Sequence, residues 1–199
     1  MLLLLGNFAY GLSVTETTPF RRYMPEDGLG SGSVEVIHQD RHGFVWFGTQ
    51  DGLSRFDGRV FKNFEHSPDD SYSIASGQVW AIEEDDEGNL WIASIGGLSF
   101  YNRAEERFYP FVGPSANSGS VSVERCTALH LDEDGVLWVG MAQGPLHRID
   151  TKSGDVEPIY LDSGETEYRY ADNVRSIKRD SFGQLWVGTL GAGLFVEND

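Results

Sequence analysis

The chain is a succession of apolar runs only a few residues long, each closed by a polar, glycine-containing turn, and no stretch carries a sustained helical period. The runs themselves recur. Trp46, Trp91, Trp138 and Trp186 lie 45, 47 and 48 residues apart, and each ends the same local pattern. The four copies read Val34-Glu-Val-Ile-His-Gln-Asp40-Arg-His-Gly43-Phe-Val-Trp46, then Val79 to Trp91, Cys126 to Trp138 and Val174 to Trp186, with Asp six residues and Gly three residues before every Trp. Downstream come a small residue (Gly48, Ala93, Gly140, Gly188), a Gly-Leu or close relative (Gly52-Leu53, Gly97-Leu98, Gly144-Pro-Leu146, Gly193-Leu194) and a further strand-like run.

Each unit thus holds four β-prone runs joined by tight turns, the form of a four-stranded antiparallel meander. Asp can hydrogen-bond the backbone two residues on and Gly can adopt positive φ, so Asp-x-x-Gly closes a hairpin between the first and second strands. The tryptophans are expected to pack between neighbouring sheets, with the small residue two positions later admitting the adjoining backbone. The fold class this implies is all-β: a β-propeller of four-stranded antiparallel blades, about four of them present, as part of a larger ring. Blade motifs are expected near 34–64, 79–111, 126–160 and 174–196 within a propeller region 20–199, with residues 20–23 forming an outer strand.

The pattern Asp-x-x-Gly-x-x-Trp-x-Gly-Thr-x-x-Gly-Leu-x-x-Phe, repeated at this period over residues 20 to 196, resembles the two-component regulator propeller repeat. Ala93-Ser94 in place of Gly-Thr and Pro145 within the Gly-Leu element depart from it. The resemblance implies an extracytoplasmic sensor propeller of a bacterial signalling protein, whose kinase or diguanylate cyclase output lies outside this chain. A sialidase-type Asp box fits less well, because the position five before each Trp holds Arg41, Asp86, Glu133 and Ser181. No Trp is followed by Asp, which disfavours a WD-type repeat.

Composition narrows the function further. A formal net charge of −16 repels phosphate backbones and anionic lipid, so nucleic acid is excluded as a partner and membrane attachment would come only through segments outside this chain. Cys126 is the single cysteine, so an internal disulfide and a multi-cysteine metal site are both excluded. Residues 1–13 have the apolar length of a signal-peptide core but no preceding cation, which reads as a truncated signal peptide and an exported, periplasmic or extracellular chain.

The chain offers little catalytic chemistry. Its five histidines lack zinc-ligand spacing, and neither a nucleophile elbow nor a phosphate-binding loop is present. No cofactor and no metal are expected, although the acidic turns 83–87 and 132–134 carry enough oxygens to raise calcium as an alternative to a solvated hairpin. Binding is expected where loops gather at a channel mouth. Eleven residues before each Trp stand Glu35, Trp80, Thr127 and Arg175, a mixed set where the packing positions beside them hold residues such as Val, Ile or Leu; Gln78, Arg125 and Asn173 lie in the preceding connections, and Gln50, Asp51 and Gln143 in the later loop. Trp80 stacking on a ring, with Arg175 and Glu35 holding polar groups, suits a saccharide or another small polar ligand. The rival readings are a polysaccharide hydrolase or lyase, for which Glu35 and Asp51 are the candidate carboxylates, and a protein-binding scaffold. Self-association through the propeller is also expected, since an open arc exposes blade faces.

Overall fold

The computed structural model describes residues 20–114, 120–121, 125–161 and 173–197. Among them seventeen strands follow one another: β1 (Val34–Gln39), β2 (Val45–Thr49), β3 (Leu53–Phe56), β4 (Phe61–Phe64), β5 (Val79–Glu84), β6 (Leu90–Ser94), β7 (Gly97–Asn102), β8 (Arg107–Pro110), β9 (Gly113–Pro114), β10 (Ser120–Val121), β11 (Cys126–Leu131), β12 (Val136–Met141), β13 (Leu146–Asp150), β14 (Val156–Ile159), β15 (Val174–Arg179), β16 (Leu185–Thr189) and β17 (Leu194–Val196). They make four antiparallel blades in chain order, β1–β4, β5–β8, β11–β14 and the three-stranded β15–β17, with β9 and β10 as a small separate ladder. This is the β-propeller architecture that the repeat predicts. The only helical turn among the described residues is a 3-10 turn at Pro25–Asp27, and no helix there is long and apolar enough to cross a membrane.

Residues 20–23 are not a strand. Tyr23 instead packs its ring against Phe56 and Phe61 of the first blade, 5.5 Å between centroids in each case, so it covers that sheet's aromatic face without extending the ladder. The apolar segment 1–13 lies outside the described residues.

The local chemistry of the repeat explains the blade. One carboxylate oxygen of Asp40 accepts the backbone N–H groups of His42 and Phe44, and Gly43 takes φ +87° to complete the hairpin. The other oxygen accepts the indole N–H of Trp46 at 2.7 Å, and the same bond recurs from Trp138 to Asp132 and from Trp186 to Asp180. A single aspartate therefore closes the turn and satisfies the buried indole, which is the reason for its six-residue offset. At the other end of the blade the Thr49, Ser94 and Thr189 hydroxyls donate to the carbonyls of Gly52, Gly97 and Gly193, fastening the second-to-third-strand turn.

Each innermost strand carries a β-bulge at the same place. The register passes from Val34↔Thr49 directly to Val36↔Gly48, leaving Glu35 without a cross-strand partner, and the same slip isolates Trp80, Thr127 and Arg175. Side-chain type at these four positions is free of ladder constraints, which accounts for their variety.

Blades are joined by a knob set into a socket. A β carbon built on Gly48 would lie 2.7 Å from Val79 of the next blade, and one on Gly140 would lie 2.5 Å from Val174. The small residue thus admits a side chain of the following blade, not its backbone. Between the second and third blades the socket is the larger Ala93 and the knob the smaller Cys126, within one core cluster. Burial in that cluster pushes the Cys126 thiol up to about 12, so it behaves as an apolar filler. The inner strands pack in succession, β1 on β5, β5 on β11 and β11 on β15, and among the described residues no comparable packing joins the first and fourth blades. Ile37 of β1 is 66% exposed and Leu194 of β17 is 64% exposed, as befits two end faces.

Candidate ligand-binding face

An antiparallel meander sends its first-to-second and third-to-fourth turns to one end and its second-to-third turns, together with the crossings between blades, to the other. All ten residues singled out in the sequence lie at the second end or on the adjoining bulges. A repeated backbone tie holds that end together: the N–H groups of Gln50, Ile95, Ala142 and Leu190 donate to the carbonyls of Ser33, Gln78, Arg125 and Asn173. Arg125 N–H also reaches back to Ile95 of the preceding blade, with Arg125 itself at φ +59°. A β carbon on Gly77 would lie 3.1 Å from the Gln50 carbonyl oxygen, a close approach that sets Gln78 beside Gln50 and Asp51.

Exposure separates the ten. Glu35, Gln50, Asp51, Arg125, Gln143 and Arg175 are exposed, while Gln78, Trp80 and Asn173 are half-buried. Thr127 is buried, its hydroxyl within hydrogen-bond reach of the Gly140 and Val174 carbonyls, and so serves the seam between the third and fourth blades. Asn173 has a buried side-chain oxygen with no partner among the described residues, an acceptor left for water or ligand. Glu35 and Arg175 belong to the first and fourth blades, at opposite ends of the open arc.

Deeper along the inner strands, His38, Glu83, His130 and Lys178 occupy equivalent positions, each paired in register with its blade's tryptophan. Burial raises the Glu83 carboxyl to about 7, with Lys178 of the fourth blade pulling against it. Burial also holds His130 below its ordinary value despite the neighbouring Asp132. Among the described residues no three metal-ligating side chains converge. Asp132 and Asp85 in the acidic turns already have hydrogen-bond partners, from Trp138 and Arg179 for the former and from Glu87 and Asn89 for the latter.

What the sequence reading missed is a pair of arginines that cross between blades to the aspartate of the repeat. Arg103 of the second blade donates to Asp40 of the first at 2.6 Å, and Arg179 of the fourth grips both oxygens of Asp132 of the third at 2.7 and 2.8 Å. Between these two seams lies one without such an arginine, where a cavity of about 740 Å³ opens at the hairpin end between the second and third blades. A second recess of about 650 Å³ lies at the seam that Arg179 ties.

Comparison with known proteins agrees with this architecture. The two component regulator propeller family model matches residues 28–51, 73–96 and 171–191. A histidine kinase, P4, of Formosa agariphila is 48% identical over 56 residues, 28% of this chain and 4% of the kinase. The extracellular domain of a putative hybrid two component system from B. thetaiotaomicron superimposes with a TM-score of 0.69 at 24% identity, over 83% of this chain and 24% of that one. A second such domain from the same organism gives 0.53 at 24% identity, over 89% and 30%. A streptogramin B lyase gives 0.58 at 17% identity over 84% of this chain and 55% of that one, so the fold alone does not decide between binding and catalysis. The chain spans only a small part of the curated kinase and about a quarter of the first of these extracellular domains. The chain is thus similar to the two component regulator propeller family in the first, second and fourth blades, where the family model matches it.

Proposed function

We propose that this chain is the ligand-binding propeller of an extracytoplasmic sensor in a bacterial signal-transduction protein, and that it does no catalysis itself. The observation that carries this reading is the clustering of unconstrained polar and aromatic residues at the second-to-third-turn end, on bulges free of ladder pairing, beside an unsatisfied Asn173 oxygen. The repeats, the kinase relative and the sensor-domain neighbours support it. The ligand is a small polar molecule such as a saccharide, with Trp80 as stacking surface and Glu35, Gln50, Asp51, Gln78, Arg125, Gln143, Asn173 and Arg175 as polar contacts. Occupancy signals only if it favours one arrangement of the sensor, most simply one pairing of propellers over another. Self-association fits the same picture, because among the described residues no other blade receives the knob Val34 or fills the socket Gly188 of the end faces.

A saccharide panel screened by thermal shift tests the reading. A hit that Trp80→Ala with Arg175→Ala abolishes, at unchanged melting temperature of the free protein, supports it; a hit unaffected by that pair overturns the site. Turnover of a polysaccharide, lost in Glu35→Gln or Asp51→Asn, favours the enzymatic rival.

A further inference from the structure

The seam between the second and third blades lacks what the other two seams have. At the first seam the arginine comes from the third-to-fourth-strand turn of the following blade, where Arg103 stands three residues after Phe100, the residue facing Trp91. The same position in the third blade, three residues after Arg148, which faces Trp138, is Thr151. At the third seam the arginine is the last residue of the following blade's inner strand, Arg179; its equivalent in the third blade is Leu131. The carboxylate of Asp85, the counterpart of Asp40 and Asp132, therefore meets no cation from either source, and Arg41 of the first blade reaches only the Asp85 backbone carbonyl, at 2.6 Å. Its Oδ1 accepts the Glu87 and Asn89 N–H groups and its Oδ2 the Asn89 amide, one bond fewer than Asp40 accepts.

A second, independent feature marks the same place. Trp91 is only 5% exposed and its indole Nε1 has no hydrogen-bond partner among the described residues, whereas the indoles of Trp46, Trp138 and Trp186 all donate to their aspartates. A buried donor without an acceptor is destabilising, so an acceptor brought to it is favoured. Asp85, Trp91, Leu131 and Thr151 all line the cavity of about 740 Å³, whose walls add the aromatic Phe100 and Phe111 and whose rim adds further carboxylates and Lys152, the last with its Nζ turned to the Asp134 carbonyl.

We infer that this cleft receives an arginine side chain from a peptide segment of a partner protein. The guanidinium takes the place at Asp85 that Arg103 and Arg179 hold at the flanking seams, a backbone carbonyl of the peptide accepts the Trp91 N–H, and the methylene stem lies along the aromatic wall. The net charge of −16 steers such a basic segment inward. Arginine is specified over lysine because both internal precedents use a planar guanidinium, one of them in two-point contact with the carboxylate. This site lies at the opposite end of the blades from the proposed sensor face, and the two readings stand or fall separately.

The probe is N-acetyl-Phe-Arg-amide, titrated into the 199-residue chain by calorimetry, beside its citrulline analogue, which keeps the shape and loses the charge. Saturable binding is expected, weakened about tenfold or more by citrulline and by Asp85→Asn, consistent with loss of a charge-assisted pair. Leu131→Arg, which supplies the missing guanidinium from within the chain, is expected to abolish binding while raising the melting temperature; Thr151→Arg is the second such plug if the first does not fold. Absence of saturable binding at millimolar probe overturns the inference, as does binding indifferent to citrulline, or to a folded plug variant, which marks a non-specific acidic surface.

Discussion

Gly48 and Val79 are the two halves of one joint: a β carbon on Gly48 would sit 2.7 Å from Val79 Cγ1 of the next blade and 2.5 Å from Val36 Cγ1 of its own. Both contacts are tighter than carbon atoms tolerate. Gly48→Ala is therefore expected to lower the unfolding free energy by about 1–3 kcal/mol, the usual cost of overpacking. Chemical denaturation checks it, and the double variant with Val79→Ala should lose less than the sum of the two single changes, because the second removes the obstacle met by the first.

The inter-blade arginines give the arc an acid limit. Burial opposes ionisation of Asp40, but hydrogen bonds from Trp46 and Arg103 outweigh it and hold the carboxyl below its ordinary value; Asp132 is held down likewise by Arg179 and Trp138. A carboxyl with a depressed folded-state pKa adds stability that is present above the unfolded value, near pH 4, and disappears as pH falls through the folded value. Asp132→Asn should remove about 2 kcal/mol at pH 7 and much less at pH 3, read from urea unfolding at the two pH values.

Glu83 has the reverse sign. Burial raises it to about 7, with Lys178 opposing, so its folded form holds a proton that the unfolded chain releases from about pH 4.5 upward. Stability linked to this group is full below that point and is lost progressively as pH rises to about 7. Glu83→Gln should leave stability at pH 4 nearly unchanged and increase it at pH 8 by on the order of 1–3 kcal/mol, measured by denaturant midpoints across the range.

The end faces predict concentration-dependent association. Val34 is the equivalent of the knobs Val79, Cys126 and Val174, yet it is 39% exposed, and among the described residues the nearest atoms to a β carbon on Gly188 belong to Ser176 of its own blade. Sedimentation should show assemblies of a second copy joined head to tail, and Val34→Glu or Gly188→Val should each shift them toward the monomer. Association unchanged by both would place the contact elsewhere.

The repeat of Asp, Gly and Trp was enough to read the strands, the hairpins and the propeller, because turn closure and strand alternation are local and depend on residues within one unit. It also identified a loop end with unconstrained residues, and the bulges explain why those positions vary. Thr127 shows the limit of that inference: its place in the repeat matched Trp80 and Arg175, but only packing revealed that its hydroxyl serves the next blade. Residues 20–23 read as a strand by composition, but no ladder among the described residues includes them, and of the four it is Tyr23 that packs on Phe56 and Phe61.

Local sequence by itself determined the blade, through hydrogen bonds and periodicities that span a few residues. The tertiary structure alone decided what happens between blades: that the carboxylates of Asp40 and Asp132 each hold an arginine lying 63 or 47 residues away in the chain, and that the carboxylate of Asp85 holds none. Those pairings depend on the three-dimensional juxtaposition of neighbouring sheets, where a guanidinium from either of two unrelated sequence positions reaches the same carboxylate, so no fixed spacing along the chain announces them.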